Sequence, residues 1–340
     1  MVDVIAAFLG LTLVLYLVLG GADFGAGIWE ITKGRHGRAH EELVSHAMGP
    51  VWEANHVWLV IALVILFTAF PPAFRQLAVT FHVPLTLLLL GIVCRGCAFT
   101  FRHYDAVQTP RTRRLYTFVF EAASLLTPVM LGLIAGAIIL DRAPAETGDF
   151  AATYLWPWLT PFGACLALFL LVLFAYLAAV FLAGETDDPA LRQLFVARAR
   201  ATAIVAVATG LAVFVAGQRS GLPLAQLFLA TPASLACMVL ATLLLEPLHR
   251  ALARGRVLAP RLLVSAQVAL VVGGWGALRY PVIFSVAGKP LTVSQAAAPE
   301  ATLAQLLLAL VVGSALIFPA LGYLLVVFKI RSQVLPADRR

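Results

Sequence analysis

The sequence is short of charge. Of its 340 residues only 12% are Asp, Glu, Lys or Arg, against 61% hydrophobic, and the mean hydropathy is +0.95. Soluble domains carry about 25% charged residues, and a soluble fold must still cover itself with polar atoms. The shortage excludes a cytosolic enzyme, a secreted disulfide scaffold and a disordered tail, and leaves an integral membrane protein. Cysteine is scarce too: Cys94, Cys97, Cys165 and Cys237 all lie in apolar segments, which argues against a disulfide framework. Met1-Val2-Asp3 lacks the positive region of a secretory signal and no cleavage site follows, so the first apolar stretch is expected to stay in the mature protein. There is no phosphate-binding loop, hydrolase triad or metalloprotease helix motif. The net charge of +7 is not arranged as basic runs interleaved with exposed aromatics. That excludes nucleic acid as a partner and points to anionic lipid beside basic loops.

Nine apolar stretches are long enough to cross about 30 Å of hydrocarbon as helices. They cover 4–30, 51–70, 77–101, 115–140, 156–183, 195–217, 226–249, 260–280 and 303–329. Barrel strands would be about 10 residues long and alternate strictly, which these segments do not. The fold class is therefore an all-α polytopic membrane protein with one membrane domain over 1–340 and no separate folded unit in any connection. Lys and Arg set the orientation. The odd-numbered connections and the C-terminal tail hold 18 of them, whereas the N-terminal tail and the even connections hold 5. The positive-inside rule then puts the N-terminus outside and the C-terminus in the cytoplasm.

Charges inside apolar spans are costly and usually face a bundle interior, so they are the informative residues. Asp23 sits near the end of the first span, in a run where Gly20, Gly25 and Gly27 allow close helix approach, and the apolar run continues to Trp29. The second span opens with Trp52-Glu53-Ala54-Asn55-His56-Val57-Trp58. Glu53 falls where a helix dipole favours an anion, and it shares a face with His56. The third span ends with Arg95 and Arg102, and the fourth carries Glu121 and Ser124 about two turns in. Asp23, Glu53, His56, Arg95 and Glu121 thus fall in the cytoplasmic half of four consecutive helices, an arrangement that suits a proton or ion entry path. A static ion-pair network would look the same in sequence. Glu246, just before Pro247, is either a counterpart in the second half or an interfacial acid. Cys94 and Cys97 are half of a four-ligand metal site with no second pair, and are read as packing residues. Any of His46, His56 and His82 could in principle serve as a haem ligand, but a lone intramembrane histidine is more often a hydrogen-bonded packing residue.

These motifs carry a resemblance. Gly20-Gly-Ala-Asp23-Phe-Gly-Ala-Gly27, Gly49-Pro-Val-Trp52-Glu53-Ala-Asn55-His56-Val-Trp58, the Phe70-Pro71-Pro72-Ala-Phe74 turn and Arg95-Gly-Cys-Ala-Phe99-Thr-Phe101-Arg102 occur in the order found in subunit II of the cytochrome bd-type quinol oxidases, including the cyanide-insensitive branch. The chain resembles that family over its whole length in span count. In the C-terminal half the likeness rests on Trp275-Gly-Ala-Leu-Arg-Tyr-Pro281.

The resemblance implies two four-helix bundles, 1–140 and 150–282, plus a peripheral ninth helix at 303–329. It implies a partner subunit I carrying haems b and d, or b only, and a complex that oxidises ubiquinol and reduces O2 to water in the bacterial inner membrane. Such a complex builds a proton gradient without pumping. The resemblance implies no catalytic group, haem or metal in this chain, which stabilises subunit I and supplies part of the cytoplasmic proton path. Asp23 and Glu53 match the family's proton-path acids, with His56 and Glu121 beside them. Gly20, Gly25, Gly27, Trp52, Asn55, Trp58, Arg95 and Arg102 are structural motif residues. A structural quinone or lipid in this subunit, and small accessory single-span chains, are left open. The alternative function is a proton-coupled secondary transporter. A transporter would call for matching helix breaks in two repeats near the midplane, whereas these acids cluster at one face of one half.

Overall fold

Apolar runs punctuated by proline and glycine become helices that start at capped prolines. In a computed structural model of the chain, residues 1–32, 37–105, 109–142, 148–286 and 288–334 are described. They form α1 (Val2–Ile31), α2 (Gly37–Ala69), α3 (Pro71–Thr80), α4 (His82–Tyr104), α5 (Pro110–Ile139), α6 (Phe150–Tyr154), α7 (Pro161–Ala183), α8 (Pro189–Arg219), α9 (Leu224–Ala230), α10 (Pro232–Leu243), α11 (Leu245–Ala253) and α12 (Leu258–Arg279). The strands β1 (Val282–Val286) and β2 (Lys289–Thr292) and the long α13 (Glu300–Val334) follow. Proline at the first helical position forfeits no hydrogen bond, and α5, α7 and α8 all start this way. The side chains of Thr109, Thr160 and Asp188 accept from the backbone N–H groups of Thr112, Gly163 and Ala190.

Among the described residues eight helices are long and apolar enough to cross a membrane, or nine when one bent pair is taken as a span. That pair is Asn55–Ala69 with Pro71–Thr80, which meet at 115°. Pro71 and Pro72 have no N–H to continue the ladder, and Pro71 forces Phe70 out of the helical region, so the chain turns there. The seventh span is broken at Leu244 into α10 and α11, three residues before Pro247.

Two connections differ from the sequence reading. The first is largely helical, because α2 begins at Gly37 rather than at Pro50. Its added turns bury His40, Val44 and Ala47, with the His40 ring 5.3 Å from Phe195 of α8. The eighth contains an antiparallel hairpin, β1 on β2. Val282, Ile283 and Phe284 favour strand, Gly288 takes the positive φ that the turn requires (+76°), and buried Phe284 packs edge-on against Phe81.

α1 is the hub. It packs on α2, α5 and α7 and touches α12 and α13. α7 in turn packs on α5 and α8, and α12 lies on α10 and α11. Small residues make the central crossings close, as expected where lipid supplies no hydrophobic drive between helices. A Cβ on Gly25 would stand 1.9 Å from the Phe174 carbonyl oxygen, and one on Gly136 would stand 2.5 Å from the Gly163 Cα. Polar contacts then sort to the two ends of the assembly. At the end where α1 finishes, Arg113 meets Glu41, Arg261 meets Glu185, and Arg198 donates to the Thr32 carbonyl. At the other end Arg279 holds Asp141 through two bonds of 2.7 and 3.1 Å, and the Tyr280 hydroxyl donates to Asp3. The Trp275-to-Pro281 motif thereby ties α12 to the end of α5 and the start of α1.

Candidate functional site

Seven residues are nearly two helical turns, so positions seven apart return to the same face. α1 places Tyr16, Asp23 and Glu30 in such a series, and α4 places Arg95 and Arg102 in another. The two series meet. Arg95 Nη1 is ion-paired with Asp23 Oδ2, Nη2 donates to the Asp23 backbone carbonyl at 2.7 Å, and Nε donates to Ser124 Oγ of α5 at 3.0 Å. Two turns on, Arg102 grips Glu30 with bonds of 2.7 and 2.9 Å and reaches Ser45 Oγ of α2. Both pairs are buried: the acids are at most 1% exposed and Arg95 is 1% exposed. The rings of Phe24 and Phe120 flank the Arg95 guanidinium at 5.0 and 4.5 Å, and Phe120 also faces Arg102 at 4.7 Å. Buried charges need partners of this quality, because desolvation alone is several kcal/mol per ion.

Glycines open the space for the polar side chains. A Cβ on Gly27 would fall 2.1 Å from Ser124 Oγ, one on Gly91 would fall 2.5 Å from Thr127 Oγ1, and one on Gly20 would fall 2.9 Å from the Asn55 amide. Beyond the Asp23 pair, away from the Glu30 end, the buried Tyr16 hydroxyl, Asn55 Oδ1, Trp58 Nε1 and Thr127 Oγ1 have no protein partner among the described residues. Tyr16 lies within electrostatic range of both Asp23 and Arg95, and His56 within range of Asp23. The result is a polar column from the Glu30–Arg102 end into the interior of the bundle formed by α1, α2, α4 and α5. Fixed ion pairs stand at two levels, with donors and acceptors free beyond them. Buried polar atoms without a protein partner are the kind that ordered water commonly satisfies.

Of the residues singled out in the sequence, Asp23, Arg95, Arg102, Asn55, His56, Gly20 and Gly27 come together here. Gly25 serves the α1–α7 crossing instead. Buried Trp58 packs on Phe318 of α13 at 5.7 Å. Glu121 is half-buried on a side of α5 that lines an outer groove with Ile31, Glu41, Arg113 and Arg114. The side chains of Trp52 and Glu53 lie outside the described residues. Glu246 is exposed and bonded to Arg250 one turn on, as an interfacial acid would be. Glu30, Tyr16 and Thr127 were not among the expected residues. The signal for Glu30 was the spacing that repeats Asp23 to Glu30 in Arg95 to Arg102.

The histidines described are spread over the fold. His40 packs on Phe195, His82 sits 4.7 Å from the Tyr154 ring with Nδ1 bonded to the Val79 carbonyl, and no group of three or more metal-binding side chains converges among the described residues. The four cysteines are unpaired thiols, with Cys97 turned outward.

Comparison with known proteins then places the chain. The model of the cytochrome bd terminal oxidase subunit II family matches residues 1–328. Cytochrome bd ubiquinol oxidase subunit 2 of Bacillus subtilis (strain 168) is 30% identical over 119 residues, which is 35% of this chain and 34% of that protein. Cytochrome bd-I ubiquinol oxidase subunit 2 of Escherichia coli (strain K12) is 25% identical over 158 residues, 45% of this chain and 41% of that protein. The matched stretches therefore span less than half the length of these relatives. The bd oxidase structure from Geobacillus thermodenitrificans shares the fold, with a TM-score of 0.78 at 19% identity, covering 96% of this chain and 98% of that one. By a family match that runs almost end to end, the chain belongs to the cytochrome bd terminal oxidase subunit II family.

Proposed function

We propose that this chain is the haem-free subunit of a quinol:oxygen oxidoreductase, which steadies a haem-bearing subunit I and supplies part of the proton path from the cytoplasm. The chain is a multi-pass protein of the bacterial inner membrane. The single observation that carries the reading is the buried column Glu30–Arg102, Asp23–Arg95–Ser124 and the unpartnered polar atoms beyond it, in a family of terminal oxidase subunits. Reduction of O2 to water consumes protons, and the haems of subunit I supply the electron chemistry when present. The residues of this chain would serve the protons. Asp23 and Glu53 are the acids assigned to the path, and His56 lies beside Asp23. Arg95 and Arg102 hold α1 against α4, so that Tyr16, Asn55 and Thr127 keep their unpaired atoms in line. Glu121, on the outer groove, is assigned to collecting protons at the surface.

The excess of Lys and Arg on odd connections supports an external N-terminus and a cytoplasmic column mouth. Packing of α1, α2, α4 and α5 on one side and of α7, α8 and α10–α12 on the other supports two bundles over 1–140 and 150–282, with 303–329 as an added helix. A transporter reading has no matching support in the second half, where Glu246 is exposed and paired with Arg250.

The test uses the purified complex in proteoliposomes, following quinol-driven O2 consumption and internal alkalinisation together. Glu53→Gln is expected to slow both while leaving the haem spectrum and the assembled complex intact. Full proton-coupled turnover in Glu53→Gln and in a stably assembled Asp23 variant would remove the path and leave only the scaffold role.

A further inference from the structure

Four arginines at the Glu30 end, Arg102, Arg113, Arg261 and Arg198, are taken up inside the fold, by Glu30, Glu41, Glu185 and the Thr32 carbonyl. One group is not. α8 and α11 diverge and leave a cleft made of two adjoining cavities of about 510 and 530 Å³, which share Arg200 and Ala253. Arg192, Arg200, Arg250 and Arg254 line it, against a single acid, Glu246, which is bonded to Arg250. Among the described residues Arg192, Arg200 and Arg254 have no carboxylate partner. Arg192 reaches from α8 across to the end of α11, where its guanidinium lies against Gly255. His249 lines the same cleft. Its Nδ1 donates to the Leu245 carbonyl at 2.7 Å, and its shielded Nε2 has no partner.

Below the arginines the wall turns apolar. Arg200, Ile204, Val207 and Leu211 follow at spacings of four, three and four residues, one stripe on α8 about 16 Å long at 1.5 Å per residue. Ile204 is 72% exposed and Leu211 63%. A cluster of unpaired cations at the mouth, continuous with an apolar stripe running toward the far side of the membrane, matches one kind of molecule. Its phosphate must be anionic and its tails must be acyl chains.

We propose that the cleft between α8 and α11 binds one anionic diacyl phospholipid of the phosphatidylglycerol type. Arg192, Arg200 and Arg254 hold the phosphate, and the acyl chains lie along Ile204, Val207 and Leu211. The inference is independent of the oxidase reading and needs only that the chain lies in a membrane.

The test is native mass spectrometry of the complex in detergent, titrated with phosphatidylglycerol, phosphatidylcholine or inorganic phosphate. One phosphatidylglycerol should be retained in preference to phosphatidylcholine. Each arginine near an anionic surface contributes about fivefold, so R200Q/R254Q should lower that preference about 25-fold. Val207→Trp, which fills the stripe without touching charge, should also displace the lipid, while Arg219→Gln at the opposite end of α8 should not. Equal retention of the two lipids would overturn the proposal. So would competition by inorganic phosphate as strong as that by the lipid, which marks a bare anion site, or loss in R200Q/R254Q with full binding in Val207→Trp.

Discussion

Replacing Asp23 by asparagine strands a guanidinium. Arg95 is 1% exposed and shares its three donor nitrogens among Asp23 Oδ2, the Asp23 carbonyl and Ser124. The last two contacts survive the substitution, but the counter-charge does not, and among the described residues no other carboxylate is bonded to Arg95. Removing one member of a buried pair typically destabilises by about 3–5 kcal/mol, chiefly because the other charge is left uncompensated. Arg95→Gln should be as harmful for the mirror reason. Removing both charges leaves a neutral site of similar volume, so D23N/R95Q should cost much less than the sum of the singles, with a coupling of about 2–3 kcal/mol, near the top of the range for contacting residues. The assay is thermal unfolding of the detergent-purified complex at one scan rate, since unfolding of such an assembly is a rate, alongside the yield of assembled complex. The expected order is wild type, then the double variant, then the two singles. If the double variant falls below both singles and the losses add within about 0.5 kcal/mol, the pair is not what holds α1 to α4.

Four further outcomes follow from the packing, the ion pairs and one hydrogen bond. Gly25→Ala should lower the unfolding temperature of the complex, because its Cβ would meet the Phe174 carbonyl oxygen at 1.9 Å and overpacking costs about 1–3 kcal/mol or more. Gly10→Ala, with nothing within 4 Å, should hold or raise it through helix propensity worth up to about 1 kcal/mol. Glu30→Gln should destabilise like Asp23→Asn and be relieved by Arg102→Gln in the same assay, because Glu30 is 0% exposed and bonded twice to Arg102. The hydrogen bond to Asp3, together with its charge, raises the Tyr280 phenol above its ordinary value. A raised folded value means that the bond's contribution is complete below about pH 10, the ordinary phenol range, and is lost as pH climbs through the raised value. In Asp3→Asn the Tyr280 phenol, followed as the absorbance difference from a Tyr280→Phe variant, should therefore ionise at lower pH, and an unchanged titration would deny the bond.

The spans were readable because a bilayer accepts few alternatives: about 20 apolar residues between breakers are a helix whatever they pack against. Tertiary partners were not readable in that way. Period and composition put Asp23 and Arg95 in the same half of the membrane but did not pair them, and they drew Glu121 inward when its side chain turns to an outer groove. The hairpin after α12 escaped notice because five strand-forming residues between a proline and a glycine look like any loop until Phe81 gives Phe284 something to cover. α2 began early because the stripe of His40, Val44 and Ala47 becomes a core face only once Phe195 is beside it. One tertiary signal was nevertheless present in the primary structure. Asp23 to Arg95, Glu30 to Arg102 and Glu41 to Arg113 are each 72 residues apart. A constant separation arises only between elements that run the same way, so the two pairs between α1 and α4 imply that these helices lie parallel, while the single Glu41–Arg113 pair ties α2 to α5 without setting their direction. Parallel packing is the arrangement of alternate spans in an up-and-down bundle. It also explains why the column is straight: parallel helices keep their seven-residue faces in step, so each arginine of α4 meets the acid of α1 at its own depth.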